Sequence, residues 1–159
     1  MSTECGDFRE RCRGLRGVEE RRTAVALLEW SPAFGVGIGA IDKDHRAVIA
    51  SINALQAAVE GGGDLSVTGP LLNKLNIDTR AHFSAEESLM VTTRYPGAAL
   101  HAMKHMHLLD QLDAFLVRYK RNLTPLNIHS LNFLRDWVST HIQSEDRNFG
   151  LWLSEHGKG

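Results

Sequence analysis

His82-Phe83-Ser84-Ala85-Glu86-Glu87-Ser88-Leu89-Met90 sets an imidazole and a carboxylate four residues apart. An α-helix advances about 100° per residue, so His82 and Glu86 stack one turn above the other on a single face. The same spacing returns at His101 and His105, while His45 and His141 each stand inside an apolar stripe of helical period. Asp146 follows His141 by five residues. His45, His82, Glu86, His101, His105, His141 and Asp146 together offer five imidazoles and two carboxylates, the donors that two bridged metal ions need. They project from four helices into one interior.

The flanking residues carry the same period. Ile41, His45, Val48, Ile49, Ile52, Leu55 and Val59 recur at spacings of three and four, which predicts a first helix. Asp42 is its expected N-cap and Gly61-Gly62-Gly63-Asp64 its stop. A second helix is expected from near Thr68, with Pro70 tolerated in the first turn and Leu71, Leu75, His82, Glu86 and Leu89 or Met90 inward. Tyr95-Pro96-Gly97 ends it. The third helix covers about residues 98–121, with His101, His105, Leu108, Leu109, Leu112, Phe115 and Leu116 inward. Thr124 as cap and Pro125 in the first helical position begin the fourth, which turns Ile128, Leu131, Leu134, Trp137, Val138 and His141 inward. Four helices of roughly 20 residues, each about 30 Å long and joined by short turns, predict an all-α fold, an antiparallel up-down-up-down four-helix bundle.

One spacing resists a continuous helix. Five residues separate His141 from Asp146, which on a regular helix points them about 140° apart. If both serve one site, the helix must break or bulge between them. Ser144 and Asp146 compete for backbone hydrogen bonds, so a break with a fresh N-cap between residues 143 and 146 is expected, followed by a short C-terminal helix over 147–155. Before the bundle, Trp30 to Ile41 is rich in Gly and holds Pro32, which predicts an irregular N-terminal arm. Its Trp30, Phe34, Val36 and Ile38 cover one end of the core. Residues 1–28 mix Arg, Glu and Gly with few large apolar groups and read as a flexible extension. The expected organisation is thus an extension over 1–28, the bundle over 29–155 and a tail over 156–159.

Composition bounds the function classes. The 159 residues, 43% of them hydrophobic with a net charge of −1, suit one soluble globular domain and provide no basic field for nucleic acid. The longest apolar run, Ala24 to Leu28, falls far short of the roughly 20 residues of a membrane span. Glu4 and Asp7 stand where a signal peptide carries positive charge, so a cytoplasmic location is expected. Cys5 and Cys12 are then expected to be two reduced thiols, in preference to a redox clip or a soft metal site.

Taken in order, the elements are Trp30 with Val36-Gly37-Ile38, Asp42-x-x-His45, His82-Phe83-x-x-Glu86-Glu87-x-x-Met90, Tyr95-Pro96, His101-x-x-x-His105, and Trp137-Val138-x-x-His141-Ile142 with Asp146. Through them the segment from Trp30 to about Leu153 resembles the bacterial hemerythrins. The resemblance implies a non-haem di-iron centre. His101, His105 and His141 would bind one iron and His45 and His82 the other, with Glu86 and Asp146 bridging both alongside a solvent-derived oxo or hydroxo group. The second iron is then one ligand short, and that position is where the family binds molecular oxygen. The family lines it with apolar side chains, at positions matching Val48, Phe83, Leu108, Leu109, Trp137 and Val138 here.

The implied function is reversible oxygen binding for storage, delivery or buffering, with no catalytic residues. The alternatives are an oxygen or redox sensor and a di-iron enzyme acting on peroxide or nitric oxide; the protein partner is left unknown. Asp78 departs from the family, which commonly has an aromatic residue there. It falls on the face of His82 and Glu86, and hydration at the bundle end is preferred to a hydrogen bond from a ligand imidazole. His107, His129 and His156 are expected to be exposed, Glu87 to act as an outer-shell or surface acid, and Met90 and Tyr95 to pack and cap.

Overall fold

A computed structural model describes residues 26–157 of the chain. The expectations for Cys5, Cys12 and most of the N-terminal extension lie outside the described residues. Regularly spaced apolar residues fold Gly39–Glu60 into α1, Leu65–Thr92 into α2, Ala98–Lys120 into α3 and Ile128–His141 into α4. A π-helical turn, Ile142–Asp146, then runs into α5, Arg147–His156. α1 packs on α2, α2 on α3 and α1 on α4, giving the four-helix bundle. Among the described residues no helix is long and apolar enough to cross a membrane.

The helix starts differ from the sequence expectations, each for a local reason. α1 begins at Gly39, ahead of Asp42, whose carboxylate instead accepts a hydrogen bond from Val36 N–H at 2.7 Å and ties the arm to the first turn. α2 begins at Leu65, because Asp64 caps it by accepting from Ser66 N–H at 2.8 Å. Thr68, expected near that start, is buried and bonded to the Tyr119 hydroxyl of α3. α4 begins at Ile128 rather than at Thr124-Pro125. Asn127 accepts from His129 N–H at 3.0 Å and Ser130 N–H at 3.2 Å in a capping box, whereas the Thr124 hydroxyl is engaged by Arg118 Nε at 3.0 Å. Ile128, the first residue of that helix, is consequently exposed rather than inward. The α1 stop is as expected: Gly62 adopts φ +72°, and Gly63 N–H returns to Ala58 O at 2.8 Å.

Ile52, Leu55, Leu72, Leu75, Leu112, Leu131 and Leu134 close the core. Leu72 rather than Leu71, and Met90 rather than Leu89, take the fully buried places on α2. The antiparallel order brings the start of α1, the end of α2, the start of α3 and the end of α4 to one end of the bundle. His45, His82, Glu86, His101, His105 and His141 all lie near that end.

The arm seals it. Phe34 and Val36 are buried, Trp30 leans on Phe34, and Arg46 stacks 3.6 Å from the Trp30 ring. Leu27 and Leu28 are already docked on α1, their N–H groups donating to Gln56 at 2.6 Å and Asn53 at 3.1 Å. α5 meets the arm backbone to backbone at Gly150, where an added Cβ would fall 2.3 Å from Val36 O and 2.8 Å from Val36 Cβ. Gly150→Ala is therefore expected to displace the arm at a cost of about 1–3 kcal/mol, seen as a melting temperature several degrees lower. An unchanged melting curve would show that the arm does not need this close approach.

Candidate metal centre

The π turn resolves the five-residue spacing. Its hydrogen bonds reach one residue further than those of an α-helix, so residues five apart return to the same face. His141 Nε2 and Asp146 Oδ1 thereby come within 2.9 Å. The expected break and fresh N-cap do not occur, because the backbone continues with αR geometry through Arg147. The Ser144 hydroxyl donates to the Thr140 carbonyl at 2.6 Å, and Glu145 pairs with Lys104 of α3, holding the turn against the bundle.

All seven singled-out side chains meet, each at most 6% exposed. Asp146 stands at the middle. Its Oδ1 lies 3.1 Å from His101 Nε2, while its Oδ2 lies 3.0 Å from His45 Nε2 and 3.7 Å from His82 Nε2. Glu86 Oε2 sits 3.3 Å from His105 Nε2, 3.7 Å from His101 Nε2 and 3.9 Å from His82 Nε2. The donor atoms form two groups able to hold a cation, each within 4.8 Å: Glu86, His101, His105, His141 and Asp146, and the smaller set His45, His82 and Asp146. One carboxylate belongs to both.

A second layer aims the rings. Phe34 carbonyl accepts from His45 Nδ1–H at 2.9 Å, which fixes the ring with Nε2 turned into the cluster and its lone pair free for a metal ion. Glu87, half-exposed, takes the outer place by accepting from His105 Nδ1 at 2.9 Å, and Phe83 stacks on the same ring at 3.8 Å. Asp78 reaches no imidazole: its Oδ2 accepts from Ser51 Oγ of α1 and from Lys74 Nζ, both at 2.7 Å. The carboxylate expected to be hydrated at the bundle end thus links two helices. His107, His129 and His156 are exposed. Tyr95 packs between Phe149 and Trp152.

The polar atoms at the centre fit a metal pair. His82 Nε2, His105 Nε2 and both Glu86 oxygens are buried without a hydrogen-bond partner among the described residues, a costly arrangement unless something fills the space between them. Burial, then the neighbouring Asp146, pushes Glu86 up to about 7, and burial holds His105 down to about 4, so its imidazole is neutral and available as a donor. Burial alone would raise Asp146, but hydrogen bonds from His101, His141 and His45 hold it well below the usual carboxylate range. His45 is raised: burial opposes its charge, and the Asp146 contact outweighs that. Imidazoles and buried carboxylates are ligands of iron, manganese or zinc.

Beside the smaller group lies an enclosed cavity with about 10 Å³ of free space, the scale of one small molecule. Val48, Phe83, Leu108, Trp137 and Val138 line it together with His45, His82 and His141. Leu109 does not. One residue round α3 from Leu108, it sits half-buried outside the cavity wall. Two lining residues were missed, Thr79 and Ile142. Thr79 lies three residues before His82 on the same helix face, a spacing that could have found it, but a polar residue does not join an apolar stripe. Leu108, Trp137 and His141 are shared with an open surface groove of about 410 Å³ that also touches Leu100 and Met103. Leu108 and Trp137 therefore stand between cavity and solvent.

The model of the hemerythrin HHE cation-binding domain matches residues 36–153. Over 131 residues the chain is 28% identical to a bacteriohemerythrin of Methylococcus capsulatus, covering 82% of this chain and 99% of that protein. A bacteriohemerythrin of Stenotrophomonas maltophilia is 26% identical over 132 residues, 83% of this chain and 85% of its own length. A crystal structure of wild-type hemerythrin superposes with a TM-score of 0.75 at 28% identity, over 81% of this chain and 99% of that one.

Proposed function

The chain belongs to the hemerythrin family, and we propose that it is an oxygen carrier, storing, delivering or buffering molecular oxygen rather than turning it over. As a hemerythrin it is a di-iron, oxygen-binding protein. In our reading His101, His105 and His141 hold one iron, His45 and His82 the other, and Glu86 and Asp146 serve both. When bound, the iron pair supplies the electrons and an open coordination position for oxygen. The rest is done by the chain. Phe34 carbonyl and Glu87 fix ring orientations, and the apolar walls slow the entry of water and anions more than that of a small neutral gas.

The observation that carries the carrier reading is the enclosure of the cavity beside the smaller donor group, with Leu108 and Trp137 closing it from the outer groove. Among the described residues, no acid or base other than the donor residues themselves lines it, which favours binding over peroxide chemistry. Trp137→Ala tests this. Removing the indole is expected to join cavity to groove and speed oxidation of the reduced protein by about tenfold, at a cost of about 3–5 kcal/mol in packing, so folding is checked first by circular dichroism. A folded variant that oxidises no faster than wild type would remove the shielding argument. Rapid turnover of peroxide by the wild-type protein would favour the enzyme reading instead.

A further inference from the structure

One residue of the cavity wall carries a hydroxyl with nothing to bond to. Thr79 is 1% exposed, and its Oγ1 is buried without a partner among the described residues. A threonine within a helix ordinarily turns its hydroxyl back to the carbonyl one turn earlier. Elsewhere on α2 this is what happens: Thr68 Oγ1 bonds Asp64 O at 2.7 Å and Thr92 Oγ1 bonds Ser88 O at 2.7 Å. Thr79 forgoes the equivalent bond to Leu75 O. It belongs to the small set of residues around the cavity, one helical turn from His82.

A buried hydroxyl left unpaired destabilises the fold, while the same donor aimed at a ligand atom contributes affinity and orientation. We propose that Thr79 Oγ1 faces the cavity and donates a hydrogen bond to the outer atom of a small oxygen- or nitrogen-containing ligand held there, making it a positioning residue in a pocket whose other walls, the donor histidines apart, are aliphatic and aromatic. This rests on the reading of the centre as an iron pair. It goes beyond that reading in giving the pocket a specific polar contact: ligands with an acceptor at their far end are favoured over purely apolar gases of similar size.

Azide is a suitable probe, since it carries such an acceptor and binds the oxidised iron pair with a change in absorbance. Thr79→Val removes the hydroxyl at nearly constant shape and is expected to weaken azide binding to the oxidised protein by about ten- to a hundredfold. Thr79→Ser keeps the hydroxyl and should stay within about threefold of wild type. In the metal-free protein, Thr79→Val should melt at the wild-type temperature or above it, because only an unpaired group has been lost. An unchanged azide affinity in Thr79→Val, an equal loss in Thr79→Ser, or a metal-free Thr79→Val melting several degrees below wild type would each overturn the proposal. Failure of the wild-type protein to hold iron or to bind azide would instead overturn the iron-pair reading beneath it, so the two failures are distinguishable.

Discussion

Stripping the metal from the purified protein is expected to lower its melting temperature by roughly 10 °C, one of the two largest effects the structure implies. A ligand present at 100 to 1,000 times its dissociation constant stabilises a fold by about 3–4 kcal/mol, and each kcal/mol moves the transition of a chain this size by about 2–4 °C. The physical source is specific. Without an ion, His82 Nε2, His105 Nε2 and the Glu86 oxygens face one another with no partner in a water-poor interior. The loosening should concentrate where the centre holds the least regular backbone, the end of α4 and the π turn. Calorimetry before and after chelation, with hydrogen exchange on the same samples, measures both effects. Superposable melting curves would show that the cluster lies outside the cooperative core.

Removing Asp146 is expected to be as severe. Its two oxygens lie within 3.7 Å of four imidazoles drawn from both donor groups, so Asp146→Ala takes a ligand from each and removes the link between them. Iron analysis should find little metal left in the variant. Glu86→Ala should also lose the pair, because Glu86 Oε2 reaches His101 and His105 on one side and His82 on the other. His45→Ala should be milder, since the five-member group remains whole. A folded Asp146→Ala that keeps the wild-type iron content would contradict this ordering.

Much of the architecture was legible because one-sided burial leaves a period of 3.6 in the apolar residues. The histidine and glutamate spacings of four translate directly into shared helix faces. Helix starts were less legible, since a cap is decided by competition for a side chain. Thr124 has the chemistry of a cap but is occupied by Arg118, and Asn127 wins with two amides. The spacing from His141 to Asp146 signalled an irregularity without saying which kind, because a π turn and a break both cost one regular turn. Phe34's role was invisible, as a backbone carbonyl has no residue signature. Asp78 was only half legible: Lys74 stands one turn before it on α2, but Ser51 becomes a neighbour only once α1 and α2 pack.

The central claim is that the buried cluster holds an iron pair that takes up oxygen and gives it back. The most direct measurement is the absorption spectrum of the reduced protein through repeated cycles of oxygen exposure and argon purging, with iron determined on the same sample. The account predicts two irons per chain, uptake of one oxygen molecule per pair, and return of the original reduced spectrum after each purge. A single irreversible conversion to the oxidised form, or a protein that holds one zinc and shows no spectral response to oxygen, would contradict it.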